Sequence, residues 1–168
     1  MFVEESGVTR SLTRRYGRAP KEERVPGAAP CGRWEVTTLI GAWALDGARA
    51  RCSVDAATAA AIVQVFVERI LQPALRPGAV VIWDNRAAHR TPALKAAVEA
   101  AQATLLPLPP YAPDFNPSEQ CWSKIKEFLR AAKARAAESL EQAITQAFAS
   151  VTASDACGWF QHCGYGSV

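Results

Sequence analysis

No stretch of the chain approaches the ~18 unbroken apolar residues that a membrane-spanning helix requires. The start, Met1-Phe2-Val3-Glu4-Glu5, has neither the basic segment nor the apolar segment of a secretory signal. No Cys-x-x-Cys occurs, and the five cysteines (Cys31, Cys52, Cys121, Cys157 and Cys163) are odd in number, which argues against a disulfide framework and for a reducing cytoplasm. Cys157, His162 and Cys163 are the one cluster with zinc-like residue types, but their spacing is unusual, and small buried side chains are the simpler reading. There are no internal repeats, and no low-complexity tract beyond a general richness in alanine. Neither sign of charge dominates: 19 Lys and Arg against 16 Asp and Glu leave a net +3, which permits a nucleic-acid partner without arguing for one.

What remains is ordinary for a globular domain. At 168 residues, with 49% apolar and 21% charged side chains, the chain suits one domain and excludes intrinsic disorder. A chain of this length buries roughly two-thirds of its unfolded surface and needs no covalent staples.

Residues 9–33 form a basic, turn-rich segment that carries Arg10, Arg14, Arg15, Arg18, Lys21 and Arg24. Strand character begins at Trp34 and runs to Trp43. Asp46-Gly47 then predicts a tight hairpin turn with both residues at positive φ, and the return strand covers Ala48 to Val54. Ala59, Ile62, Val63, Phe66 and Ile70 recur at helical spacing within Thr58 to Leu71. The wholly apolar run Ala79 to Trp83 reads as a strand buried on both faces, and Thr104 to Leu106 as another. Between them Pro92 to Ala101 predicts a helix. A proline-rich loop, Pro107 to Pro117, leads into a helix with Cys121, Ile125, Phe128 and Ala132 on one face. Leu140, Ile144, Ala147, Phe148 and Val151 mark a further amphipathic helix, and a short segment around Trp159-Phe160 closes the chain. This order predicts an α/β architecture, a mixed sheet with helices packed on it.

Three groups can carry chemistry. Asp84 follows a buried strand, the place where open α/β sheets bind ligands, although Asp-Asn is also a common turn. Asn116-Pro117-Ser118-Glu119 reads as a helix start, with Asn116 at the N-cap, Pro117 at the first helical position and Glu119 completing a capping box. The same glutamate could instead share a divalent cation with Asp84. Glu4-Glu5 is either a frayed charged terminus or the stub of a central strand, in which case only one of the two faces the site. Three carboxylates from two strands and a helix suit hard cations such as Mg²⁺, which take oxygen ligands and complete their shell with water and substrate phosphate.

From Leu108 the text reads Leu108-Pro109-Pro110-Tyr111-Ala112-Pro113-Asp114-Phe115-Asn116-Pro117-Ser118-Glu119-Gln120, followed by Trp122 and Lys124-Ile125-Lys126. With Asp84-Asn85 and His89 upstream, and with 34 residues between Asp84 and Glu119, the chain resembles the catalytic domain of insertion-sequence transposases of the Tc/mariner superfamily. The resemblance implies a ribonuclease H-like fold in a single domain over residues 1–168, with 138–168 as C-terminal helices. It implies DNA strand cleavage and strand transfer that depend on two Mg²⁺ or Mn²⁺ ions, with Asp84 and Glu119 as the second and third acidic ligands and Glu4 at the place of the first. Arg86, His89, Lys124 and Lys126 are the expected DNA contacts, with solvated surface charges the alternative for Arg86, Lys124 and Lys126 and a buried, hydrogen-bonded histidine the equal alternative for His89. The expected partners are transposon-end and target DNA, a second copy of the chain, and a separately encoded helix-turn-helix half; no membrane is involved.

Two departures stand out. The family has Asp-Glu where this chain has Glu4-Glu5, and the extra methylene moves the carboxylate by roughly 1.5 Å. No helix-turn-helix precedes the catalytic text, and only Met1-Phe2-Val3 remain of the expected central strand, which predicts neighbouring backbone groups left without partners. A remnant that binds DNA or dimerises without cleaving is therefore the second reading.

Overall fold

The computed structural model describes every residue except 33, 34, 57, 58, 111, 167 and 168. Trp34, Thr58 and Tyr111, to which the sequence assigns a strand start, a helix start and part of the proline-rich motif, thus lie outside the described residues. Strand β1 (Phe2–Thr9) is central. It pairs antiparallel with β2 (Val36–Ala44) from Phe2↔Trp43 to Thr9↔Val36, and β2 pairs antiparallel with β3 (Gly47–Val54). On its other side β1 runs parallel to β4 (Val80–Trp83) through Phe2↔Ile82 and Val3↔Trp83, and β4 runs parallel to β5 (Thr104–Pro107). The sheet order is β3-β2-β1-β4-β5.

The central strand is not cut to Met1-Phe2-Val3: β1 runs on to Thr9, and its first residues already pair β4. β4 is only four residues long, so Met1 and Phe2-Val3 suffice to pair it: the Met1 amine donates to Val80 O at 2.8 Å, and Met1 O accepts from Ile82 N at 2.8 Å.

Alternation along β1 sends Val3 and Glu5 to one face and Phe2, Glu4, Ser6 and Val8 to the other. On the first face Val3, Ile40, Val81 and Trp83 pack against α1 (Ala60–Phe66) and α2 (Pro92–Ala100). On the second, Val8, Leu39 and Trp43 pack against α3 (Ser118–Ala132) and α4 (Ala137–Ala149). A smaller cluster of Phe2, Leu108 and Phe160 is closed by α5 (Ala153–His162).

Several expectations are corrected in detail. The hairpin stands where it was expected, but Leu45 and Asp46 make the connection and only Gly47 has positive φ, at 113°. This is a turn followed by a left-handed glycine, not a type I′ turn. The helix expected to end at Leu71 changes pitch: Val67–Leu71 form a wide turn, closed by Gln72 N donating to Val67 O, and Gln72–Ala74 tighten to a 3₁₀ turn. Pro73, which has no N–H and crowds the carbonyl four residues back, gives the reason. Neither β4 nor β5 is buried on both faces: Val80 is 42% exposed and Leu106 50%, because β5 is the outermost strand and α5 covers only the Phe2 end of that face. On α3 the buried stripe is Cys121, Trp122, Ile125 and Leu129, while Ala132 is exposed. The closing segment is a ten-residue helix, started by a capping box between Thr152 and Asp155. All five cysteines are free.

Candidate active site

The pairing Val3↔Trp83 brings the next residues of the two parallel strands, Glu4 and Asp84, side by side at the sheet's centre. The first turn of α3 adds Glu119. These three carboxylates line one cavity of about 720 Å³, with Arg86, Arg90 and Asn116 also in its wall and the proline-rich loop along one side.

Glu4 is only 7% exposed. Its Oε2 accepts from Asn116 Nδ2 at 2.7 Å and its Oε1 from Glu5 N at 3.3 Å. Burial dominates over these bonds and, helped by the negative charges of Asp84 and Glu119, pushes its carboxyl up to about 7.

Glu5 points to the opposite face and meets His89, whose Nε2 lies 2.7 Å from Glu5 Oε1 and whose Nδ1 bonds Asp84 Oδ1. The imidazole is 2% exposed and stacks on Trp83 with ring centres 4.5 Å apart. Burial alone would lower its pKa, but the bonds to Asp84 and Glu5 outweigh burial and hold it up to about 9. Asp84 Oδ2 accepts from Arg86 Nε at 2.8 Å. Burial works to raise the Asp84 carboxyl, yet His89 and Arg86 together hold it below the usual range. One carboxylate of the cavity is thus braced by cations from behind, one is driven toward its neutral form, and Glu119 stands exposed at the helix start.

The family model for the DDE superfamily endonuclease matches residues 1–141. The chain belongs to that family. The chain is similar to solved structures of the Mos1 transposase: a paired-end complex with the left transposon end (TM-score 0.76, 18% identity, 97% of this chain and 50% of that one). It is also similar to the catalytic domain of Mos1 mariner transposase (TM-score 0.63, 16% identity, 97% and 75%). Identities this low establish the fold, which is ribonuclease H-like as the sequence implied. The chain spans about half the length of the first of these chains. No curated protein matches it in sequence.

The residues singled out in the sequence divide into two groups. Glu4, Asp84 and Glu119 share the cavity, and Arg86 stands at its rim with its guanidinium 67% exposed. His89 is buried behind the cavity with both ring nitrogens engaged by Asp84 and Glu5. Lys126 is half-buried on α3 away from the cavity lining. Lys124 Nζ donates to Asp155 Oδ2 at 2.6 Å and ties α3 to α5. That bond, with those from Thr152, draws the Asp155 carboxyl down to about 2. Its stabilising effect is present above the ordinary carboxylate range and is lost as pH falls through about 2. In Lys124→Met, a carboxyl titration followed by NMR is expected to show Asp155 moving back up toward 3.8; a value still near 2 would assign the shift to Thr152 alone.

The helix-start reading of Asn116 to Glu119 holds by half. α3 begins at Ser118 with Pro117, not Asn116, at its N-cap; Asn116, one residue earlier, still accepts from Ser118 N on its Oδ1 at 3.2 Å, but its own N–H donates to Pro113 O at 2.9 Å and not to Glu119. The box stays open and the Glu119 carboxylate faces the cavity. Sequence reasoning missed Glu5 as the partner of His89 and Asn116 as the partner of Glu4. The first had a signal, since a second strand carboxylate facing a core needs a cationic partner; the second had none.

Proposed function

We propose that the endonuclease is the catalytic domain of an insertion-sequence transposase, which cuts DNA strands at the ends of its element and joins them to target DNA. The observation that carries this reading is the convergence of Glu4, Asp84 and Glu119 on one cavity with Arg86 and Arg90 on its wall. The domain covers residues 1–168, with 9–33 a basic loop-rich segment and 138–168 the C-terminal helices. A second copy of the chain and a separately encoded helix-turn-helix half complete the assembly, which works in the cytoplasm. Among the described residues no helix is long and apolar enough to cross a membrane.

The donor set fits Mg²⁺ or Mn²⁺ in kind: the cavity offers carboxylates and no thiolate. Among the described residues no three His, Cys, Asp or Glu side chains close tightly enough to hold an ion unaided. That is ordinary for Mg²⁺, which is held through one or two carboxylates, its own waters and substrate phosphate. Glu4, Asp84 and Glu119 would hold two such ions, which when bound supply Lewis-acid stabilisation of the charge that develops on the phosphodiester. The chain's own residues do the rest. His89 and Arg86 hold Asp84 ionised, the exposed arginines pair with backbone phosphates, with Lys126 adding charge from α3, and the proline-rich loop walls the groove.

Nicking of supercoiled plasmid in Mn²⁺ tests the reading, with thermal melts run alongside. The wild type is expected to nick and Asp84→Ala to lose nicking completely. Mn²⁺ at a hundredfold excess over its Kd should add about 2.7 kcal/mol to the wild type and nothing to Asp84→Ala. A wild type blind to Mn²⁺ in both assays would leave the non-cleaving, DNA-binding remnant as the better description.

A further inference from the structure

We infer that Asn116 is a positioning residue for Glu4: its buried amide ties the first carboxylate of the cavity to the turn of α3 that carries Glu119. This rests on the nuclease reading of the cavity and assigns a part to a residue outside the acidic set.

Both ends of the side chain are engaged. Nδ2 donates to Glu4 Oε2 at 2.7 Å and Oδ1 accepts from Ser118 N at 3.2 Å, and the chemistry of these partners fixes which end is which, since a carboxylate only accepts and a backbone N–H only donates. The backbone of Asn116 is anchored as well, its N–H donating to Pro113 O at 2.9 Å and its carbonyl accepting from Glu119 N at 3.2 Å. The residue is 5% exposed, so the amide meets little competition from water.

Capping explains only half of this arrangement. Asp, Ser and Thr also serve at a helix N-cap through an acceptor oxygen, and none of them supplies an amide donor. The donor end is therefore left over by capping, and it falls on Glu4, 112 residues away in sequence. Glutamate has one more rotatable bond than aspartate, so a carboxylate at this position has more freedom to lose. The amide, together with the Glu5 N–H on the other oxygen, selects one orientation. Because the same residue accepts from Glu119 N, the positions of Glu4 and Glu119 are set by one anchor.

The test separates capping from positioning in the full chain. Asn116→Ser keeps a capping oxygen and loses the amide. It is expected to fold and to bind Mn²⁺, followed by electron paramagnetic resonance, 10–100-fold more weakly, the range for loss of a partner that orients a metal ligand. Unchanged Mn²⁺ affinity in Asn116→Ser would overturn the proposal. A metal-free cycle provides a second readout. Asn116→Asp caps but sets a carboxylate against Glu4, and is expected to lower the urea midpoint. Adding Glu4→Gln restores the bond with its polarity reversed and should recover the midpoint beyond the sum of the single changes. Strict additivity would also overturn the proposal. A coupled metal-free cycle in a wild type that binds no Mn²⁺ would instead fail the nuclease reading, and the positioning role would fall with it.

Discussion

His89→Ala is expected to lower stability by about 3–5 kcal/mol near pH 6, the range for removing one partner from a buried ionic group. The histidine side chain is 1% exposed and that of Glu5 4%, so their removal from water is nearly complete. Without the imidazolium, Glu5 and Asp84 lose the cation between them and keep only Arg86, 4.0 Å from Glu5 and 2.8 Å from Asp84, and Trp83 loses the ring stacked on it. The pH dependence has a definite sign. The folded-state pKa is raised from 6.5 to about 9, so the stabilisation is complete below 6.5 and is lost as pH rises through about 9. Urea unfolding of wild type and variant should therefore differ most at pH 6 and converge above pH 9. His89→Gln, which still offers a donor, should recover part of the loss. A deficit under about 1 kcal/mol at pH 6 would mean that water reaches Glu5 and solvates it.

Glu4→Gln is expected to have the opposite effect in metal-free buffer, a gain of up to about 3 kcal/mol at pH 8. The folded carboxyl is raised from 4.5 to about 7, so the protonated form is the one the fold prefers. Stability is intact below 4.5, where folded and unfolded chains are both protonated, and declines as pH rises through about 7. Glutamine removes that decline, and at pH 4 the two chains should melt alike. With His89 losing its contribution in the next window, the metal-free chain is expected to weaken steadily from mildly acidic to mildly alkaline pH. Saturating Mn²⁺ should flatten the wild-type profile and leave that of Glu4→Gln nearly unchanged. A variant less stable than wild type at pH 8 in a chelator would refute the assignment of Glu4 as a carboxylate under electrostatic stress.

The parts of the fold that follow from local pattern were legible in the sequence. Period-two apolar runs and Gly or Pro punctuation place the hairpin, β4, β5 and α1 to α4 within a few residues. What local pattern does not encode is which face a neighbour covers. Val80 and Leu106 are as apolar as Val81, yet they sit on the less covered face of β4 and of the outer strand β5. The pitch change at Val67 depends on a proline six residues ahead. At the site, the loop motif and the Asp84 to Glu119 spacing pointed to residues that the fold brings into one cavity, because those residues are adjacent to strand and helix ends that the pattern also marks. The link from Glu5 to His89 spans 84 residues and that from Glu4 to Asn116 spans 112, and such juxtapositions exist only once the sheet is assembled. For His89 the sequence left a DNA contact and a buried, hydrogen-bonded histidine open, because its two carboxylate partners come from distant parts of the chain.

The outer position of β5 has a consequence for how copies of the molecule meet. Thr104 N and Leu108 N donate inward, to Ala79 O and Trp83 O, so alternation turns the nitrogens of Leu105, Pro107 and Pro109 toward the free edge. Two of those three nitrogens carry no hydrogen. A strand from another molecule approaching this rim finds acceptors with almost no donors beside them and cannot continue the ladder. A half-exposed apolar strand that would otherwise invite edge-to-edge polymerisation is thus blunted by the same proline run that shapes the wall of the cavity.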